Sequence, residues 1–233
     1  MIIAIDGPAA SGKSSTARAV ARELGFLHLD SGALYRGLTW AALRNGLDQG
    51  AWPTLNAATL DALDVALVAD DQRLRLMAGG APVGDEVRGP DVNARVSAMA
   101  GIPAVRDWVN ARLRALAAGR DLVADGRDIG TVVFPDAELK IFLVADAEER
   151  ARRRLADQGV VAPSSAQLEA ETARLRERDR LDTERDVAPL RAAPDAVRLD
   201  TTGLDFDAQV GRVLAHARAR GAPCPSEIEK SGG

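Results

Sequence analysis

The chain has 233 residues, of which 46% are hydrophobic and 27% charged, and its formal net charge is −4. This composition is that of a globular protein of one or two domains, and the acidic balance speaks against a nucleic-acid-binding surface. A single cysteine and two widely separated histidines exclude an internal disulfide and a zinc site with the usual ligand spacing.

The first segments of the chain predict an α/β fold. Ile2–Asp6 is a short apolar run typical of a strand, a glycine-rich stretch follows, and the alanine-rich Ser14–Leu24 has the composition of a helix. A second strand is predicted at Phe26–Leu29. After it, Ser31 can cap a helix that ends before Gly46.

The middle of the chain combines a small β-rich unit with further strands of the main sheet. Short strand-like pieces separated by turn residues predict a small antiparallel unit with strands at Val65–Val68, Arg73–Met77 and Val83–Val87. Further apolar strands, each next to a helical pattern, are predicted at Leu122–Ala124, Leu139–Val144 and Val197–Leu199. Strands that alternate with helices indicate a parallel sheet covered on both faces.

The stretch Ala147–Arg191 is dense in arginine and in acidic residues. Its charges have two interpretations: a solvent-exposed helix face with ion pairs between residues four apart, or a surface that binds an anionic partner. The last stretch, Gly221–Gly233, is rich in Pro, Gly and Ser and is predicted to be disordered.

The location expected from the sequence is the cytoplasm. No run approaches the length of about 18 apolar residues that a membrane span requires. The N-terminal segment MIIAIDG also lacks the charged region of a signal peptide.

The segment GPAASGKS, beginning at Gly7, matches the phosphate-binding pattern G-x-x-x-x-G-K-[ST] at every fixed position. It lies between a predicted strand and a predicted helix, where backbone N–H groups and the positive end of the helix dipole can hold a phosphate. Lys13 would reach the β and γ phosphates of ATP, and the Ser14 hydroxyl would bind Mg²⁺. The predicted ATP-binding residues are Gly7, Pro8, Ala9, Ala10, Ser11, Gly12, Lys13, Ser14 and Ser15.

Two further segments follow predicted strands, at the sheet edge where open α/β proteins bind ligands. The first, DSGALYR, contains Ser31, which can donate or accept a hydrogen bond, and Arg36, whose guanidinium can hold a phosphate, although by itself Arg36 is also explained as a surface charge. The second, DGRD at 125–128, is poor core material, although a capped turn would also account for it. Both are candidates for an acceptor site, which the phosphate loop by itself does not specify.

Five segments occur along the chain in this order: GPAASGKSS, LDSGALYR, ADGRDIGTVVFPDA, KIFL and ERD…R…APL. With these segments the chain resembles the bacterial cytidylate kinases, from about Met1 to about Arg218. The resemblance implies a P-loop NTPase-type three-layer α/β fold. A central parallel sheet of about five strands is flanked by helices, with a small β-rich NMP-binding insert that fits Leu63–Asp91 and a mobile helical lid. The implied parts are a CORE of 1–36, 92–149 and 186–220, an NMP-binding lobe of 37–91 and a lid of 150–185.

The same resemblance implies ATP-dependent phosphorylation of CMP and dCMP with Mg²⁺ as cofactor. From the sequence we further expect no nucleic-acid or membrane partner and a monomeric state. The resemblance places the acceptor site at Ser31, Arg36, Ser97, Arg106, Arg127, Asp128, Arg178, Asp182 and Arg185. Of these, the two serines and two aspartates would read the cytosine or the ribose, and the arginines would hold phosphates. The implied catalytic residues are Lys13, Arg127, Arg178 and Arg185.

Two alternatives stay open on the sequence alone. One is another small P-loop kinase, acting on a different monophosphate or on a metabolite such as shikimate, and the other is a nucleotide-dependent switch that hydrolyses or senses ATP or GTP. The β-rich insert and the DSGALYR and DGRD segments argue against the first. The sequence has no NKxD-like guanine-binding segment, which argues against the second.

Overall fold

The computed structural model describes residues 1–70 and 73–224, which contain eight strands and eight α-helices. The strands are β1 (Ile2–Asp6), β2 (Leu27–Asp30), β3 (Val65–Asp70), β4 (Arg73–Ala78), β5 (Ala81–Pro82), β6 (Leu122–Gly126), β7 (Leu139–Val144) and β8 (Val197–Asp200). The helices are α1 (Lys13–Leu24), α2 (Ser31–Arg44), α3 (Ala57–Ala62), α4 (Pro90–Ala100), α5 (Pro103–Ala117), α6 (Ala147–Asp157), α7 (Ser165–Glu184) and α8 (Phe206–Arg218).

The central sheet is parallel, with the strand order β2-β6-β1-β7-β8, which confirms the predicted sheet of about five strands. β1 lies in the middle and pairs with β6 on one side and β7 on the other. The three inner strands β1, β6 and β7 are almost completely buried, since helices cover both faces, whereas the edge strands β2 and β8 alternate buried and more exposed residues. The carboxyl ends of β1, β2 and β6 lie side by side, since Asp30 is in register with Asp125 and Asp6 with Gly126.

Two apolar clusters cover the opposite faces of this sheet. Because side chains alternate along a strand, Ile3 and Ile5 of β1 pack with α1 and α8, while Ala4 packs on the other face with α2 and α5. The result is a three-layer arrangement of helices, sheet and helices. It confirms the predicted fold class.

A second, antiparallel sheet with the order β3-β4-β5 follows α3, as expected for a β-rich insert. It packs closely on α2: a Cβ atom added to Gly37 would lie 2.8 Å from Val65 Cγ1 and 2.9 Å from Leu76 Cδ1. The lack of a side chain at Gly37 therefore sets how near the small sheet can lie to the helix that carries Arg36.

The third strand of the insert was predicted wrongly at Val83–Val87. It is only the two residues Ala81–Pro82, and Asp85–Arg88 is a 3₁₀ helix. The backbone N–H of Val83 still donates to the oxygen of Leu76 at 2.9 Å. The next residues leave the sheet, because Asp85 and Glu86 favour the first turn of the helix that follows.

The prediction that Ser31 caps α2 was also wrong. Asp30 is the N-cap, and Ser31 is the first helical residue. The Ser31 hydroxyl instead donates to the backbone oxygen of Asp125 at 2.8 Å. The hydroxyl therefore joins α2 to the end of β6, and with it the two segments that the sequence marked as candidates for the acceptor site.

The arginine-rich stretch forms α6 and α7, which pack against each other. Of the tail predicted to be disordered, residues 225–233 lie outside the described part of the chain. Among the described helices, none combines the length and the apolar character needed to cross a membrane.

Candidate active site

The phosphate loop runs from the end of β1 into the start of α1, and two of its glycines are required by its geometry. A Cβ atom on Gly7 would lie 2.4 Å from the backbone oxygen of Leu143. Gly12, the N-cap of α1, has a φ of 84° and no side chain with which to cap the helix. The first N–H groups of α1 are therefore oriented to bind an anion.

Lys13 is buried at the start of α1, and its Nζ donates to the backbone oxygen of Pro8 at 3.3 Å. Burial lowers the pKa of Lys13 to about 7, and the charge of Arg127 acts in the same direction. A phosphate close to Nζ would favour the charged form. The lysine is thus arranged to gain most from an anionic ligand.

Ser14, Asp125 and His28 form a hydrogen-bonded chain beside the loop. The Ser14 hydroxyl donates to Asp125 Oδ2, and Asp125 Oδ1 lies 2.8 Å from His28 Nε2. Although burial acts to raise it, the hydrogen bond with His28 leaves the pKa of Asp125 below its ordinary value. Asp125 is therefore ionised at neutral pH.

This pair of oxygen donors fits Mg²⁺, which is bound through one or two protein ligands and the substrate phosphates. Within the described residues no group of three or more His, Cys, Asp or Glu side chains could hold a metal by itself. Ser14 and Asp125 are the residues that would hold Mg²⁺ brought in with ATP. Sequence reasoning named Ser14 for this role but not Asp125.

Three arginines lie beside two buried carboxylates, Asp128 and Asp182. Arg127 Nε donates to Asp182 Oδ2 at 2.8 Å, and Arg106 forms a buried ion pair with Asp128. Arg185 lies 3.8 Å from the other oxygen of Asp128. Two carboxylates thus bring three guanidinium groups together, far from one another in sequence.

The arginines are not fully compensated by these carboxylates. Burial, followed by the charge of Arg127, lowers the pKa of Arg178 to about 10, and its Nε has no hydrogen-bond partner among the residues that the structure describes. Burial and the charge of Arg178 lower the pKa of Arg36 to about 9. A buried donor without a partner is costly, so the missing partner of Arg178 points to an anionic ligand.

The phosphate loop and the arginines line one cavity of about 670 Å³. Its described lining carries ten cationic and six acidic side chains, so positive charge is in excess. All nine predicted acceptor-site residues are part of the lining: Ser31, Arg36, Ser97, Arg106, Arg127, Asp128, Arg178, Asp182 and Arg185. Of the predicted ATP-binding residues, Ala9, Ala10, Gly12, Lys13, Ser14 and Ser15 line it, whereas Gly7, Pro8 and Ser11 do not.

Asp6 joins the two sides of the cavity. It immediately precedes Gly7, and its two carboxylate oxygens accept from the backbone N–H groups of Ile129 and Gly130, each at 2.8 Å. These N–H groups follow Asp128 in the chain. Burial raises the pKa of Asp6 to about 7, against the lowering effect of the two hydrogen bonds.

Sequence reasoning missed several charged residues that contact or line the site. Asp125 was noted only as part of the DGRD candidate for the acceptor site, and its place beside Ser14 could have been found, because it lies near the end of the strand next to the one that carries the phosphate loop. Arg150 and Asp179, which contact Ala9, had no distinguishing signal among the many charges of Ala147–Arg191. The same is true of the cavity-lining residues Arg153, Arg154 and Asp157.

Comparison with known proteins gives consistent similarities. A family model described as Cytidylate kinase matches residues 3–219, which include the whole cavity lining. The cytidylate kinase of Pseudomonas paraeruginosa is 47% identical over 226 residues, covering 94% of this chain and 96% of that protein. Among solved structures, one from Thermus thermophilus is 21% identical with a TM-score of 0.48, covering 96% of this chain and 98% of that one.

Other similar proteins are considerably longer. The bifunctional pantoate ligase/cytidylate kinases of Synechococcus sp. (strain CC9605) and Synechococcus elongatus are 41% and 46% identical to this chain, over 232 and 228 residues. Each match covers 94% of this chain. The chain spans less than half of their length, 46% and 42% respectively.

Proposed function

The chain belongs to the cytidylate kinase family, and we propose that it transfers the γ-phosphoryl group of ATP to CMP and dCMP, forming CDP and dCDP. The observation that carries the proposal is the single cavity in which a phosphate loop and buried arginines meet. Two anionic substrates need two cationic sites within reach of each other. The sequence alternatives, another small P-loop kinase and a nucleotide-dependent switch, are not favoured by this family assignment.

The chemistry is governed by charge. The phosphate oxygen of CMP is already ionised near neutral pH, so the attack needs no dedicated general base. The transition state spreads negative charge over the transferring group, and cations fixed in the cavity would stabilise it. Mg²⁺ bound with ATP would neutralise part of the phosphate charge.

The cationic side chains of the cavity would have different roles in this reaction. Lys13 would act at the donor phosphates, from the start of α1. Arg127 and Arg178 would act at the transferring group, because they line the same cavity as Lys13. Arg36 and Arg185, which line the acceptor part of the cavity, would hold the phosphate of CMP.

The base and the ribose would be read by the polar residues of the acceptor side. Arg106 and Asp128 are buried and paired with each other, and Ser31 is buried at the start of α2. Ser97 and Asp182 line the same cavity. A base that leaves one of these groups unpaired costs about 1–3 kcal/mol, or roughly 5- to 150-fold in relative rate.

The division of the chain is part of the proposal: a CORE of 1–36, 92–149 and 186–220, an NMP-binding lobe of 37–91 and a mobile lid of 150–185. The second sheet supports the lobe, and α6 and α7 support the lid. We further propose that the protein acts as a monomer in the cytoplasm. Its partners would be small nucleotides, without nucleic acid or membrane.

A coupled assay tests the proposal, with ATP as donor and CMP, dCMP, UMP, AMP or GMP as acceptor. We expect the highest kcat/KM for CMP and dCMP, with UMP lower by roughly 5- to 150-fold. A Lys13→Met variant purified in parallel controls for contaminating kinases. Equal or faster turnover of AMP or GMP would contradict the proposed acceptor, and phosphate release without any phosphorylated acceptor would favour the switch.

A further inference from the structure

A buried ion pair holds the phosphate loop from outside the cavity. Arg150 of α6 donates through Nη1 to the backbone oxygen of Ala9 at 3.0 Å and to Asp179 Oδ2 at 2.6 Å. Asp179 of α7 accepts from the backbone N–H of Ala9 at 3.2 Å through its other oxygen. Both polar backbone groups of Ala9 are therefore bound by one Arg–Asp pair, which we name the Ala9 clasp.

The clasp is rigidly placed. The side chain of Arg150 is only 7% exposed, and its Nε donates to the backbone oxygen of Ala145 at 3.0 Å. Around it, Ala9, Ala151 and Leu175 form a small apolar cluster that brings the loop against α6 and α7. Polar and apolar contacts thus act at the same residue of the loop.

The loop has a reason to need this support. Ala10, the next residue, has a φ of 58°, in the left-handed region that a residue with a Cβ atom adopts at an energetic cost. Such a conformation persists only where neighbouring contacts hold it. The clasp and the apolar cluster are the contacts adjacent to it.

The clasp also connects the loop to the acceptor side. Arg178 and Asp182 lie four residues apart on α7 and line the cavity, and Asp179 lies next to Arg178 on the same helix. An acceptor that binds Arg178 and Asp182 thereby fixes the position of α7 and, with it, of Asp179. The helix is placed to transmit acceptor binding to the loop that holds ATP.

We propose that Arg150 and Asp179 are positioning residues that couple the two substrate sites: acceptor bound on α7 stabilises the clasp, and the clasp holds Ala9 and Ala10 in the ATP-binding shape. The inference rests on the proposed function, since it takes CMP as the acceptor. It assigns to these two side chains no contact with either substrate. Their effect should therefore appear in the dependence of one substrate's binding on the other.

The test measures that dependence directly. The affinity of the full chain for Mg²⁺ with the non-hydrolysable ATP analogue AMP-PNP is determined by titration calorimetry, with and without saturating CMP. In the unmodified protein we expect CMP to tighten analogue binding about 5-fold or more. In Asp179→Ala and Arg150→Met the ratio should fall to about 1, while the affinity for CMP alone changes by less than about twofold.

Matched controls come from the exposed ion pairs of the same helices. Glu177→Gln alters an exposed partner of Arg180 on α7, and Arg152→Met alters an exposed partner of Glu148 on α6. Neither pair touches the loop, so the coupling ratio should be retained. Asp179→Asn keeps an oxygen for Ala9 but cannot hold Arg150 as an ion pair, and an intermediate ratio is expected.

The outcomes separate the clasp from the proposed function. If the unmodified chain binds no CMP, the proposed acceptor is wrong, and this coupling fails with it. If CMP binds but leaves the analogue affinity unchanged, or if Asp179→Ala keeps the full ratio, the clasp is overturned and the kinase assignment stands. Thermal unfolding of each variant identifies a loss of fold, which would weaken both affinities together, and the Asn variant then provides the ratio.

Discussion

The donor and acceptor sides of the cavity are built in different ways. The donor side is a contiguous loop, Gly7–Ser15, in which backbone N–H groups and one lysine meet the phosphate. The acceptor side is assembled from side chains of α2, α4, α5, α7 and the turn after β6. Because a side chain can be removed and a backbone N–H cannot, the acceptor side should be the more vulnerable to single substitutions.

The largest effect should follow removal of an acceptor-side guanidinium. We expect Arg127→Ala or Arg178→Ala to lower kcat by roughly 10³–10⁵, the range known for one arginine at a transferring phosphoryl group. Unfolding of Arg178→Ala in urea should change little by comparison, because no described residue accepts a hydrogen bond from Arg178 Nε. Arg127→Ala should be the less stable of the two, because it also leaves the buried Asp182 without Arg127 as its ion-pair partner. The matched control is Arg180→Ala, which removes an exposed arginine of the same helix. Normal turnover in Arg127→Ala or in Arg178→Ala would refute the role assigned to that arginine.

A smaller effect should follow removal of the Ser14 hydroxyl on the donor side. Ser14→Ala should raise the Mg²⁺ concentration for half-maximal activity by about 10–100-fold, and should weaken Mg²⁺-dependent binding of AMP-PNP in parallel. Ser14→Thr keeps the hydroxyl and should restore both values. An unchanged Mg²⁺ titration in Ser14→Ala would show that the hydroxyl is not a ligand.

The smallest effect is expected for Asp6, which connects the phosphate loop to the segment after Asp128. Burial raises the pKa of Asp6 to about 7 in the folded protein from the ordinary 3.8. Between these values the folded state binds more protons than the unfolded state, so this group lowers the free energy of unfolding as pH rises from about 4 to 7. Asp6→Asn removes the titration. Its unfolding free energy relative to the unmodified protein should increase over this range by at most about 1.4 kcal/mol per pH unit.

The measurement is urea unfolding of both proteins at pH 5, 6, 7 and 8. Only the pH dependence of the difference in unfolding free energy between the two proteins is informative. Any loss of the hydrogen bonds from Ile129 and Gly130 in the variant changes this difference by the same amount at every pH. A difference that does not vary with pH would show that Asp6 is not titrating in this window. A lower kcat of Asp6→Asn at constant Mg²⁺ would further indicate that Asp6 orients the donor and acceptor sides of the cavity relative to each other.

The elements that could be predicted from the sequence are those encoded by short-range pattern. The strand–loop–helix unit around Gly7–Ser14 was predicted because glycine, lysine and serine at fixed spacing serve one local geometry. The five-stranded sheet and the β-rich insert followed from apolar runs and turn residues. The prediction of a strand at Val83–Val87 failed because Asp85 and Glu86 favour the first turn of a helix there.

The acceptor residues were named from the resemblance to a family, and the fold brings all nine to one cavity. Their roles there remain predictions that the substitutions above test. The local sequence around Arg178 does not differ in kind from that around Arg180, yet Arg178 lines the cavity and Arg180 is exposed on the helix surface. Pattern alone could not distinguish them.

By itself, the sequence determined the phosphate loop, the α/β order of the elements and the likeness to cytidylate kinases, since each depends on residues close together in the chain. Only the tertiary structure decided which charges are buried, that Asp125 joins Ser14, that Asp6 connects the two sides and that Arg150 and Asp179 hold Ala9. The reason is physical. Burial and charge pairing depend on distances in space between residues up to 170 positions apart, and these distances exist only once the chain has packed.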